Sequence, residues 1–456
     1  MISNIYKELM KKIRFILVSI IIYRIGAHIP VPGINTYQVS ILFKENSANI
    51  NIISLFNMFS GGALERMSIF SLGLMPYISA SIIIQLLTGM FIKKDANSFN
   101  SFNSFNSFNS FNSFNSLNSL DSLNSLNSLN SLNSLNSLNS ENKITKYIRY
   151  STVILSVIQS IGIAIGLVGS NIVYYKGGIC YLTIILTLVT GAIFLMWLGE
   201  QMTEKGIGNG ISLIILAGLG AGIPKALGKT LYLTKKDESW NIRIITILEL
   251  LILVIITIAI VVFIESGQRR IKVNYPRRLI GNKMYASQSS YLPIKVNTAG
   301  VLPAIFASSI LLLGLWLLGQ CINKSIIQAV SPGQPLYIIL FVLAVIFFSF
   351  FYTSIVFNSK EVSIKLKKSG AFIPGIRPGE KTAIYIDKVT KRLTLFGAIY
   401  ITFFSLIPQF IMVYCNIPFG GTSILIMVVV LMDFISQIQS YLMSNKYEMA
   451  MKKYKI

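Results

Sequence analysis

The chain has 456 residues, 53% of them hydrophobic and only 12% charged, yet it carries a formal net charge of +23. Soluble domains hold about a quarter charged residues, so a soluble fold is excluded; the apolar residues fall instead in blocks of about 17–25, the length that crosses a bilayer core as a helix. Lys and Arg lie between those blocks rather than in basic stripes interleaved with aromatics, which excludes nucleic-acid binding as a principal function.

In chain order, Lys7, Lys11, Lys12 and Arg14 mark the start of a first apolar block over 13–30. Arg24 lies inside it and no small-residue cleavage site follows, so it reads as a retained span and not a cleaved signal. A second block covers 69–90. Residues 97–140 then repeat Ser-Phe-Asn and Ser-Leu-Asn triplets, broken once by Asp121. A period of three matches neither helix nor strand, so no apolar face forms. The tract is expected to be a disordered insertion in a cytoplasmic loop, Asn-rich and prone to aggregation.

Blocks over 150–169, 181–199, 208–223 and 243–264 come next, and between the last two lie Lys225, Lys229, Lys235, Lys236 and Arg243 on the expected outer side, against the positive-inside bias. A basic loop over 265–297 leads to a block at 298–319, another at 335–357, a second basic loop over 358–392, and final blocks at 393–413 and 422–440. Ten spans with a basic start return the C-terminus, with Lys452, Lys453 and Lys455, to the cytoplasm. The three cysteines, Cys180, Cys321 and Cys415, then fall near the extracytoplasmic face, at spacings that fit no zinc or redox motif. With His28 as the single histidine, a His-based metal or catalytic cluster is excluded; no cofactor is expected, and no enzyme.

An internal repeat points to a pathway. Gly73-Leu74-Met75-Pro76-Tyr77-Ile78-Ser79-Ala80-Ser81 and Gly300-Val301-Leu302-Pro303-Ala304-Ile305-Phe306-Ala307-Ser308 share one pattern, five spans apart. Gly210-Ile211-Ser212 precedes Ile215 as Gly421-Thr422-Ser423 precedes Ile426. Because five is odd, equivalent helices run in opposite directions, and helices broken by Gly and Pro at matching places of an inverted repeat mark a midplane pathway. The architecture expected is an all-α integral membrane protein of ten transmembrane helices in two inverted five-helix halves, 1–223 and 224–456. The matched motifs offer Leu74, Ile78, Ile211, Ile215, Ile305 and Ile426, an aliphatic set suited to a constriction that dewets and blocks ions. Asp433 and Glu200 lie toward cytoplasmic helix ends, so no carboxylate pair is placed to hold a coupling cation; that argues against a secondary transporter with inverted repeats.

Four stretches, Phe56–Leu87, Phe194–Ser212, Gly267–Tyr275 and Lys367–Asp387, closely resemble the SecY family, and the likeness runs from about Lys11 to Lys453 outside the 97–140 insertion. The resemblance implies a channel that passes unfolded preproteins across the membrane and releases transmembrane segments sideways. It places Leu74, Ile78, Ile211, Ile215, Ile305 and Ile426 in the pore ring, and 55–68 in a plug, a short helix with Phe59, Gly61, Gly62, Leu64 and Arg66. It puts Ser79, Gln159 and Asn297 on lateral-gate helices, and Arg277, Arg278, Lys360 and Arg377 on the docking surface for the SecA ATPase and the ribosome. Where the family can show two adjacent arginines, Asn282-Lys283 stands here, which weakens the expected ribosome docking. Further implied partners are SecE-like and SecG-like membrane subunits, signal-bearing preproteins, SecDF and a YidC-type insertase. The location implied is a bacterial plasma membrane; an AT-rich composition also fits a plastid.

Overall fold

The computed structural model describes residues 2–45, 60–92, 127–169, 173–174, 177–233, 240–276, 278–280, 283–285, 288–321, 334–415 and 421–454. In chain order the helices are α1 (Ile2–Gly26), α2 (Thr36–Glu45), α3 (Met75–Ile92), α4 (Asn127–Gly169), α5 (Gly178–Lys205), α6 (Gly210–Leu233) and α7 (Trp240–Glu265). Strands β1 (Gln268–Tyr275), β2 (Arg278–Ile280), β3 (Lys283–Tyr285) and β4 (Gln288–Lys295) follow. The chain then forms α8 (Leu302–Cys321), α9 (Pro335–Val356), α10 (Ser359–Lys368), α11 (Glu380–Cys415) and α12 (Gly421–Tyr454). Among the described residues, five helices are long and apolar enough to cross a membrane: Ile144–Val168, Gly178–Lys205, Pro335–Lys368, Glu380–Ile407 and Ser423–Tyr447. Shorter apolar helices run over Met75–Gln85, Gly210–Gly222, Val254–Glu265 and Leu302–Leu311, inside spans the hydropathy predicts.

Helix α9 shows why bilayer and not water is the solvent. Tyr337, Phe341, Val345 and Phe348 form its buried face at helical spacing, while Leu336, Leu340, Leu343 and Phe347 are exposed on the other. A helix apolar all round belongs in a core or a membrane. Packing runs α3 on α4, α4 on α5, α5 on α6, and α8 on α9 on α11 on α12. Arg149 of α4 clasps Glu200 of α5 with two parallel bonds, Nη2 to Oε2 at 2.9 Å and Nε to Oε1 at 3.0 Å. The helices with matched motifs meet directly, α3 with α8 and α6 with α12.

Three local outcomes differ from the sequence reading. Residues 127–140 of the triplet tract are helical, as the first turns of α4. Adding turns to a nucleated helix is far easier than starting one, so no apolar face is required there; 97–126 lie outside the described residues. The first basic loop adds strands to the expected all-α fold: β1 pairs antiparallel with β4 and β2 with β3, while 358–392 contributes α10 and the start of α11. The described part of the segment expected to be a short plug helix, 60–68, is a run of turns, with Ala63 N–H bonded to Ser60 O and Met67 N–H to Leu64 O. Gly61 and Gly62 at φ +67° and +80° sit in the left-handed region, which interrupts a right-handed helix.

Candidate functional site

The two repeated motifs fold alike. Gly73 and Gly300 hold φ of +56° and +63° two residues before α3 and α8, and Pro76 and Pro303 follow at the second helical position. The left-handed turn favours glycine, and a proline in the first turn of a helix removes an N–H that would lack a partner. Gly210 and Gly421 likewise each begin a helix, α6 and α12.

These four helices surround a cavity of about 70 Å³, lined by Ile78 of α3, Ile211 and Ile215 of α6, Ile305 of α8 and Val430 of α12. A water needs roughly 10–15 Å³ of such space, so the cavity holds a few waters and no polypeptide. Leu74 and Ile426 are buried in the same apolar cluster without lining the cavity. Asn209, Asp433 and Gln437 form its polar end.

The segment 60–74 packs against this centre. A Cβ on Gly61 would stand 2.8 Å from the Gly218 Cα of α6. Tyr23 Oη donates to Ser60 O at 3.3 Å, and Arg24 Nη1 to Gly61 O at 3.4 Å. His28 bridges Arg24 O and the Arg66 guanidinium. Arg66 has only donors, so the bonded imidazole nitrogen accepts and the other carries the proton. Leu64 is buried, Gly62 half-buried and Arg66 exposed. Phe59 lies outside the described residues.

The three residues that the resemblance puts on gate helices do not share one hydrogen-bond cluster. Ser79 is buried on α3, one turn from Met75, whose Sδ accepts from Ser309 Oγ of α8 at 3.9 Å. Gln159 sits half-buried on α4, its Oε1 without a hydrogen-bond partner among the described residues. Asn297 lies ahead of α8 rather than on it. Its two amide hydrogens go to Glu265 Oε2 and Gly300 O, both at 3.1 Å, which leaves none for α3 or α4.

The two basic loops make one folded unit. Asn274 of β1 and Phe372 exchange backbone bonds of 2.9 and 3.0 Å, and Ile271, Val273, Leu292, Ile294, Ala371, Ile373 and Ile386 form a core of their own. Arg377 stands exposed in the turn between α10 and α11, its carbonyl held by Thr382 Oγ1 at 2.9 Å, while Ser363 Oγ holds Gly379 O at 2.5 Å. Lys360 is exposed at the start of α10, where the Asn358 side chain caps the helix. The backbone of Arg278 belongs to β2; Arg277 lies outside the described residues.

Sequence reasoning missed the polar junction where this unit joins the helices. Lys295 Nζ, at the end of β4, lies 3.7 Å from Asp433 Oδ1 of α12. Burial pushes the Lys295 ammonium below the usual lysine value, while Asp433 and Glu265 pull it back up. Glu265, the last residue of α7, is 4% exposed. Buried charges in so apolar a chain were the available signal, but their partners stand 30 to 170 positions apart.

Helices broken by Gly and Pro that converge on an aliphatic constriction, in a bundle long enough to span a bilayer, define a membrane channel. The SecY family model matches residues 122–435. Over 98% of its length the chain is 48% identical to the Protein translocase subunit SecY of Pseudomonas aeruginosa and 46% identical to that of Escherichia coli K12, covering 94% of each. The chain belongs to the SecY family. Its fold matches a solved structure of a protein-conducting channel with a TM-score of 0.61, at 16% identity, over 96% of this chain and 93% of that one. It also matches Sec61 in the canine ribosome–channel complex from the endoplasmic reticulum, with a TM-score of 0.58, at 16% identity and the same coverage.

Proposed function

We propose that this chain is the pore-forming subunit of a Sec protein translocation channel, through which unfolded preproteins cross the membrane and from which transmembrane segments leave sideways between α3 and α8. The observation that carries it is the aliphatic constriction at the meeting point of the four motif-bearing helices, with 60–74 packed against it. A greasy, narrow ring lets an unfolded chain slide while water and ions stay out. In a solved SecY channel of similar fold (TM-score 0.60, 17% identity), the plug stabilises the closed state and maintains a membrane seal; 55–68 takes that part here, with Leu74, Ile78, Ile211, Ile215, Ile305 and Ile426 as the ring.

The repeat divides the chain into halves 1–223 and 224–456, which SecE-like and SecG-like subunits brace. Both termini and the basic unit lie in the cytoplasm of a bacterium, under its plasma membrane, as the positive-inside bias directs. Arg277, Arg278, Lys360 and Arg377 receive a SecA-type motor or the ribosome, and the ribosome-bound channel of the same fold supports the second. Ser79, Gln159 and Asn297 tune the lateral gate. The channel supplies no chemistry of its own, so energy comes from the motor, from translation or from the membrane potential.

The test is reconstitution with a SecE-like partner in liposomes, scoring protease protection of a signal-bearing preprotein with SecA and ATP. Protection that depends on ATP and on the signal is expected. A folded complex that protects nothing overturns the proposal.

A further inference from the structure

The junction between the basic unit and the helices contains two buried polar groups that lack partners and belong together. Glu265 Oε2 accepts from Asn297, but Glu265 Oε1 makes no hydrogen bond among the described residues, and neither does the buried Tyr400 Oη of α11. One is an acceptor, the other a donor. Tyr400 stands one turn after Gly397, where α11 presses against Asn297, the residue that Glu265 holds. A Cβ on Gly397 would stand 3.4 Å from Asn297 Oδ1 and 3.3 Å from Val296 O. A buried polar group without a partner carries its full desolvation penalty, so an arrangement that joins Tyr400 to Glu265 is favoured as soon as the junction shifts.

The covalent layout says what would shift it. Glu265 ends α7 just before β1, and Asn297 lies between the end of β4 and the start of α8. The Asn297–Glu265 bond therefore closes the base of the β1–β4 hairpin, next to the Val296 N–H to Gly267 O bond of 3.1 Å. Lys295, two residues before Asn297, ties the same base to Asp433, which lines the central cavity. Any displacement of the hairpin strains this base and the first turn of α8 together.

We propose that Glu265 and Tyr400 are positioning residues of a two-state junction. At rest Glu265 holds Asn297 and pins α8; when a partner displaces the hairpin, Glu265 turns to the Tyr400 hydroxyl, Asn297 is released, and α8 moves from α3. The inference rests on the docking reading above.

Tyr400→Phe removes only a hydroxyl that is unbonded at rest. In liposomes bearing the full channel complex, docking affinity and resting ion leak should match wild type, while preprotein protection proceeds about five- to tenfold more slowly, the factor one hydrogen bond commands. In a Glu265→Ala background the same substitution should add nothing, because its partner is gone. Wild-type rates in Tyr400→Phe, or the same slowing in both backgrounds, overturn the junction. If the wild-type channel binds neither motor nor ribosome, the docking reading fails, and ion conductance evoked by a signal peptide alone then decides. Slower onset in Tyr400→Phe upholds the junction, and equal onset ends it.

Discussion

Gly61 shows how much a single side-chain atom decides. Its φ of +67° disfavours any L-residue, and an added Cβ would stand 2.9 Å from Tyr23 Oη as well as 2.8 Å from Gly218 Cα. Strain of this kind costs about 1–3 kcal/mol, enough to move the segment off its seat. Gly61→Ala is therefore expected to raise resting ion leak in liposomes several-fold, and a leak equal to wild type would remove 55–68 from the seal. Arg377 poses the opposite case, an exposed side chain with a braced backbone beneath it. An exposed guanidinium on a fixed turn offers a fork to carboxylate or phosphate; Arg377→Glu should abolish motor-driven protection while the chain still inserts into the membrane, and near-normal export would strike Arg377 from the docking surface. Residues of this kind were legible because they lie within motifs read along the chain. Glu265, Asn297, Tyr400 and Asp433 were not legible as a group, since only folding brings positions 265, 297, 400 and 433 together.

At the level of elements, the pore helices could be read and the hairpins could not. Gly and Pro at matching places announce α3 and α8 five spans apart, and the structure gives both the same left-handed glycine before the first turn. In β1 the alternation is short: Ile271 and Val273 are buried and Tyr275 packs half-buried against the same core, between Arg270, Lys272 and Asn274, and the partner strand lies some twenty residues on. The run of turns over 60–68 escaped for a related reason, because glycine permits a left-handed turn without requiring one. The α3–α8 contact carries its own prediction. Met75 Sδ and Ser309 Oγ are 3.9 Å apart across it, so cysteines placed at both positions, in a background lacking Cys180, Cys321 and Cys415, should be bridged by a short bis-methanethiosulfonate reagent. Bridging is expected to stop release of transmembrane segments into the bilayer, and reductant to restore it. Unimpaired release in the bridged channel would mean that segments leave elsewhere.

For the molecule as a whole, the consequence of separate cores is that its parts can fail separately. The basic unit has its own apolar cluster around Ile271, Leu292, Ile294 and Ile373, distinct from the large cluster that holds the pore residues. Regions with separate cores open independently, each with its own free energy. Ile294 is 3% exposed, and its side chain joins the hairpin to the 371–373 segment. Truncating a buried isoleucine to alanine costs about 2–5 kcal/mol, a large share of what so small a cluster can supply. Ile294→Ala should therefore speed limited proteolysis within 268–295 and weaken docking at least about tenfold, a loss of roughly 1.4 kcal/mol in binding. The spanning helices, which bury none of their main cluster against Ile294, should keep their protease-resistant fragments and the wild-type resting leak. A rise in leak equal to that of Gly61→Ala would show instead that unit and pore unfold as one, and that the polar junction between them is a rigid weld rather than a joint.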